Sequence, residues 1–89
     1  MLRNLDLTAL RSFVTVADSG GVTRAAGLLH LTQSAVSMQI KRLEESLGIS
    51  LLMRDGRGVR LTGEGEKLLG HARRMLAINY EILAQLTGA

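Results

Sequence analysis

Residues 23–47, TRAAGLLHLTQSAVSMQIKRLEESL, decide the reading of this chain. They scan as two short helices joined by a tight turn. In the second, Val36, Ile40, Leu43 and Leu47 follow the spacing of one buried stripe. The opposite face holds Gln33, Ser34, Ser37, Met38 and Lys41, hydrogen-bonding groups with one long apolar side chain among them. Thr32 stands where an N-cap hydroxyl satisfies a free backbone N–H, and Leu31 is placed to staple onto Val36. A helix that enters a major groove reads bases with its first turns, which is where Gln33 and Ser37 lie. In the preceding helix Thr23 is the expected cap, and Ala25-Ala26 leave little bulk where a neighbour crosses. Gly27 costs about 1 kcal/mol relative to Ala in an exposed helix interior, so close packing or a backbone contact is expected there. His30 reads as a polar helix terminus. Any helical hairpin in a small domain shares these features, so this stretch alone leaves DNA reading and a plain hairpin both open.

Upstream, a first helix is expected from about Asp6 to Asp18, with Asp6 as cap and Leu5 stapling to Leu10. Leu7, Leu10, Phe13, Val14 and Ala17 form its inward stripe, and Ser19-Gly20-Gly21 stops it. Three helices then share one core. Downstream, Gly48 ends the second helix of the pair and the pattern changes to LLMRDGRGVRLT. Leu51 to Arg54 and Val59 to Leu61 read as short strands around Asp55-Gly56-Arg57-Gly58, a β-wing. Such a hairpin is marginal alone and is expected to lean on the helices through Leu51, Leu52 or Met53, Val59 and Leu61. Arg57, at its tip between glycines, is free to enter a minor groove or to touch phosphate, although a solvated turn is the usual place for a loop arginine.

From Thr62, a cap with Glu64 and Glu66 favouring the positive helix end, the chain returns to helix until about Leu86. Leu68, Ala72, Met75, Ile82 and Leu86 recur in fours and threes, with Asn79 on the same seam, over nearly three heptads. Leu69, Leu76 and Leu83 broaden the stripe beyond what so small a monomer is expected to cover, which implies a partner helix. Asn79 either fixes register or sits at a wet edge.

The 89 residues suffice for one small core, as a complete domain or as a fragment of something longer. With no cysteine, disulfide frameworks and Cys-based zinc modules are excluded, and with only His30 and His71 as histidines no metal or cofactor is expected. No apolar run approaches the roughly 18 residues of a membrane span, and MLRNLDLTAL lacks the apolar core of a signal peptide, so a cytoplasmic protein is expected. Two aromatic residues, Phe13 and Tyr80, give no stacking platform for single strands. Duplex DNA is the better partner. Between Val22 and Arg60, Arg24, Lys41, Arg42, Arg54, Arg57 and Arg60 face only Glu44, Glu45 and Asp55, whereas the remaining segments balance five cations against five acids. The whole net charge of +3 therefore lies on the inferred contact elements, as counterion release from phosphates requires. GEGEK at residues 63–67 lacks the spacing of a phosphate loop, and Ser34 and Ser37 lack triad partners, so no enzyme is expected.

Together these residues resemble the N-terminal winged helix-turn-helix domain of LysR-type transcriptional regulators. The resemblance rests on TRAA (23–26), TQSAVS (32–37), QIKRLEESLG (39–48), LLMR (51–54) and VRLTGEGEKLL (59–69), in family order and covering nearly the whole chain. It implies a mainly α fold, a three-helix core plus two-stranded wing in residues 1–61, followed by a linker and dimerisation helix in 62–89. By the resemblance Gln33, Ser34, Ser37 and Met38 face the major groove, Arg57 is the wing arginine, and Thr23 and Thr62 contact the DNA backbone. Thr32, Lys41, Arg42 and Arg54 complete the expected DNA-binding set. The long helix would pair antiparallel in a homodimer through Leu68, Leu69, Ala72, Met75, Leu76, Asn79, Ile82, Leu83 and Leu86, and full-length members add an effector-binding domain and often form tetramers. This sequence departs from the pattern at Ser34, where proline is common, and at Met38, where arginine is common; Leu52 replaces the usual Phe conservatively. A winged helix used only for protein interaction is the competing reading, and the charge excess with the Gln33/Ser37 face argues against it.

Overall fold

The computed structural model describes residues 3–56 and 58–88. Three helices come first, α1 (Leu7–Ser19), α2 (Val22–Leu29) and α3 (Gln33–Leu47). An antiparallel hairpin of β1 (Leu52–Asp55) and β2 (Gly58–Leu61) follows, then the long α4 (Gly63–Thr87). α1 is the central element and packs against all three other helices.

Local chemistry sets the boundaries. Asp6 caps α1 by accepting from the Thr8 N–H at 2.8 Å. Thr32 caps α3 by accepting from Ala35 at 3.0 Å, and Thr62 caps α4 by accepting from Gly65 at 3.0 Å. α1 ends on Gly20 and α3 on Gly48, both left-handed. α2 ends on His30 at φ 57°, a left-handed conformation uncommon for a residue with a Cβ. The start of α2 corrects the expectation for Thr23. The helix begins two residues earlier than a Thr23 cap implies, at Val22, with Gly21 in extended conformation and no side-chain cap, so Thr23 lies inside the first turn.

The core joins Leu10, Phe13 and Val16 of α1, Ala25 and Ala26 of α2, and Val36, Ile40 and Leu43 of α3. Leu51 and Ala72 complete it. The inward stripe of α1 is therefore shifted from the expected one. Val16 is fully buried, whereas Leu7, Val14 and Ala17 are only half-buried. Four helices, not three, share this core, because α4 lays Ala72 and Leu76 against it. The expected staple from Leu31 leaves that side chain 38% exposed. Gly27 was expected to answer a close approach, yet a Cβ there would meet nothing within 4 Å.

The close approach occurs elsewhere, at Gly65. A Cβ on Gly65 would stand 2.2 Å from the Leu51 carbonyl oxygen, so only glycine lets the first turn of α4 press against the segment leading into the wing. That segment is held from both sides. Thr62 N–H donates to Leu51 at 3.0 Å and Thr62 Oγ1 donates to the Ser50 carbonyl at 2.6 Å. From α3, Glu44 Oε2 accepts the Leu51 N–H at 2.8 Å and the Leu52 N–H at 3.4 Å. The wing pairs Leu52 with Leu61, Met53 with Arg60, Arg54 with Val59 and Asp55 with Gly58, so each strand runs one residue further toward the turn than the sequence pattern implies.

Candidate nucleic-acid interface

Because Val36, Ile40 and Leu43 are buried, the other face of α3 is turned to solvent. Gln33, Ser34, Ser37, Met38, Lys41 and Arg42 are all exposed. One flank of α3 is pinned to the core where the buried Ser12 hydroxyl donates to Gln39 Oε1, so the phase of the exposed face is fixed by a polar contact as well as by packing.

The wing and the N-terminal ends of α2 and α3 enclose an open groove of about 510 Å³, whose walls include Thr23, Arg24, Gln33, Ser37 and Arg54. Four of these five belong to the expected DNA-binding set, and the fold brings them together from three elements. The uncapped positive end of α2 opens on the same groove through Gly21 and Val22. Lys41 lies beside it, in a cleft that shares Ser37 and Val22. Arg42 is placed differently. It lines a separate cavity of about 290 Å³ on the other flank of α3, with Asn4, Asp6 and Ser46.

The cations divide into two groups. Arg60 pairs with Asp55 at 3.7 Å and Lys67 with Glu64 at 3.7 Å. Arg73 makes a two-point contact with Asp18 at 2.6 and 3.3 Å. Arg11 donates to the Tyr80 hydroxyl at 3.0 Å, Arg74 contacts His71 Nδ1 at 2.8 Å, and Arg3 donates to the Ser46 carbonyl. Among the described residues, Arg24, Lys41, Arg42 and Arg54 have no such partner, and all four lie on α2, α3 or the wing. Arg57 lies outside the described residues.

Thr62 stands apart from the other expected contacts. Its N–H and its hydroxyl proton are both engaged within the fold, so it has no donor left for a phosphate and acts as a cap and strut. Two residues with a part in the site were not singled out from sequence. Arg24 was counted only in the charge balance, and its place in the groove depends on the start of α2. Glu44 was likewise counted only in the charge balance, whereas its carboxylate ties α3 to the start of the wing. An acid eight residues before a strand carries no local signal of that bond.

The set expected to pair α4 with a second copy divides as well. Ala72 and Leu76 are buried within the chain, contrary to the expectation of an uncovered face, and Leu68 and Leu69 are half-buried, packed on the core. Met75, Ile82, Leu83 and Leu86 are exposed and Asn79 is half-buried. Ile78, missing from the expected set, is exposed on the same side as Met75 and Ile82.

Residues 7–66 match the family model described as bacterial regulatory helix-turn-helix protein, lysR family. Over 86 residues the chain is 48% identical to the HTH-type transcriptional regulator DgdR of Burkholderia cepacia, covering 97% of this chain and 29% of DgdR. It is also 48% identical, over 83 residues, to the HTH-type transcriptional regulator PecT of Dickeya dadantii, covering 93% of this chain and 26% of PecT. The chain thus spans under a third of the length of these relatives. Among solved structures, the CbnR_DBD-DNA complex superposes with a TM-score of 0.86 at 34% identity, covering 93% of this chain and 95% of that one. The BenM_DBD/catB site 1 DNA complex gives 0.88 at 36% identity, covering 92% of each. With its winged helix-turn-helix architecture and this family match, the chain belongs to the lysR family of bacterial regulatory helix-turn-helix proteins.

Proposed function

We propose that this chain binds duplex DNA sequence-specifically as the reading portion of a cytoplasmic transcription regulator, with α3 in the major groove and the wing at the adjoining minor groove. The observation that carries the reading is the sorting of cations. Arg3, Arg11, Arg60, Lys67, Arg73 and Arg74 are engaged with partners in the chain, while among the described residues Arg24 and Arg54 in the groove, Lys41 beside it and Arg42 on the other flank of α3 are left for phosphates. Gln33 and Ser37 supply hydrogen-bonding groups at the start of α3, and a glutamine amide can both donate to and accept from an adenine edge. Thr23, Thr32 and Ser34 border them, and Arg57 completes the wing. The complexes of the similar CbnR and BenM domains with DNA support the same assignment.

Residues 1–61 form the reader in this proposal and residues 62–89 the linker helix, which joins two copies antiparallel. Met75, Ile78, Ile82 and Leu86 supply the seam, Asn79 lies beside it, and Leu83 meets the partner where α4 runs past α1. Among the described residues, two copies on a dyad site present eight free cations. At about 0.9 counterion per phosphate, binding should weaken about 10⁴-fold between 50 and 200 mM salt. Fluorescence anisotropy with a duplex selected from a random pool measures this. A change of less than tenfold, or no sequence enriched by the selection, would refute the proposal and leave the protein-interaction reading.

A further inference from the structure

Met38 is 52% exposed and takes no part in the core. On a helix of 3.6 residues per turn it falls opposite the buried stripe of Val36, Ile40 and Leu43, at the middle of the outward face. Its helical neighbours on that face are Ser34 one turn before, and Lys41 and Arg42 one turn after. A lone exposed apolar side chain is unremarkable on most surfaces. Here it occupies the centre of the face that the proposed function places against base edges. A thioether has no hydrogen-bond donor and is only a weak acceptor, so it cannot answer the polar edges of guanine, cytosine or adenine. The major groove offers one apolar group, the 5-methyl of thymine. Methionine is long, unbranched and polarizable enough to reach it without a single fixed geometry.

We propose that Met38 contacts the 5-methyl group of a thymine in the major groove and thereby specifies a T·A pair at one position of each half-site. The assignment rests on α3 reading duplex DNA. Ser34 and Ser37 flank it with short side chains, which leaves the thioether room to lie along the groove floor.

The test uses the 89-residue chain and the best duplex it selects from a random pool. Each thymine in turn is replaced by deoxyuridine, which keeps the pairing edge and lacks only the methyl. At one position per half-site the affinity should fall about fourfold, equivalent to about 0.8 kcal/mol for one buried methyl-sized group. In Met38→Ala that loss should vanish while sensitivity at other positions is kept, and Met38→Arg should shift the selected base from thymine to guanine. Circular dichroism checks that both variants keep the wild-type helix content. Preferential binding of the selected duplex with no loss at any deoxyuridine, or an equal loss in wild type and Met38→Ala, overturns the assignment of Met38. Failure to enrich any sequence overturns the DNA reading beneath it.

Discussion

One methyl group placed on two different glycines should move the stability of this domain in opposite directions. At Gly65 the new Cβ would lie 2.2 Å from the Leu51 carbonyl oxygen and 3.2 Å from Leu61 Cδ2, where ordinary contact begins at 3.4 Å. The start of α4 and the segment ahead of the wing must therefore part by about 1.2 Å along the shortest contact. That oxygen also accepts the Thr62 N–H at 3.0 Å, so the separation stretches a buried hydrogen bond. Overpacking costs about 1–3 kcal/mol and the weakened bond about 1 kcal/mol, against about 1 kcal/mol gained in helix propensity. Gly65→Ala should destabilise by about 2 kcal/mol, or roughly 8–16 °C in Tm for a domain of this size. Gly27 has no atom within 4 Å of the same added carbon, so Gly27→Ala should gain about 0.5 kcal/mol, reduced from the full propensity difference because the site is in the last turn of α2. Urea titrations followed by circular dichroism, at one fixed protein concentration, give the midpoint for each variant. Shifts of the same sign, or a neutral Gly65→Ala, would refute the argument that the approach of α4 to Leu51 sets the need for glycine.

Removing the Glu44 carboxylate leaves the Leu51 N–H without its partner, so Glu44→Ala should cost about 2 kcal/mol, with Glu44→Gln retaining part of it because an amide oxygen still accepts. Amide hydrogen exchange at Leu51 should quicken in the alanine variant, and an unchanged rate would deny the bond its role. Ile78→Asp with Ile82→Asp replaces two exposed side chains on α4, so sedimentation equilibrium should show monomers of unchanged helix content. Persistence of a dimer would place the subunit contact elsewhere. His30→Gly should stabilise by about 1 kcal/mol, since glycine adopts the left-handed C-cap conformation without a Cβ clash. A lower denaturation midpoint would mean that the imidazole itself contributes to the fold.

What the sequence disclosed was chiefly what repeats along it. The stripe of Val36, Ile40 and Leu43 and the caps Asp6, Thr32 and Thr62 are local signals, and they orient α3 and bound three of the four helices. The errors arose where distant segments decide. Gly27 and Gly65 are indistinguishable as letters in helical stretches, yet only the second faces a carbonyl from a segment fourteen residues earlier. The α4 stripe named apolar positions, Ile78 apart, but could not tell those covered by α1 from those left exposed. That division depends on where α4 crosses α1, which buries Ala72 and Leu76 and leaves Ile78 and Ile82 outside. The start of α2 was misjudged because Thr23 is a good cap by residue type, while the turn after Gly20 begins the helix at Val22. Gln33, Ser37 and Arg54 were legible as candidates, but their convergence with Arg24 on one groove required the wing to fold back beside α2.

The contact of Ser12 with Gln39 fastens α3 to α1, and Arg73 with Asp18 and Arg11 with Tyr80 fasten α1 to α4. These contacts, with the shared core, couple the three helices to one another. A 25-residue helix is about 37 Å long, so tilting it by about 5° displaces one end by about 3 Å relative to the other. That is close to the rise of one base pair, roughly 3.4 Å. If two copies pair through α4 on a dyad site, as proposed, a change of angle this small would shift their reading heads along DNA by about one base pair.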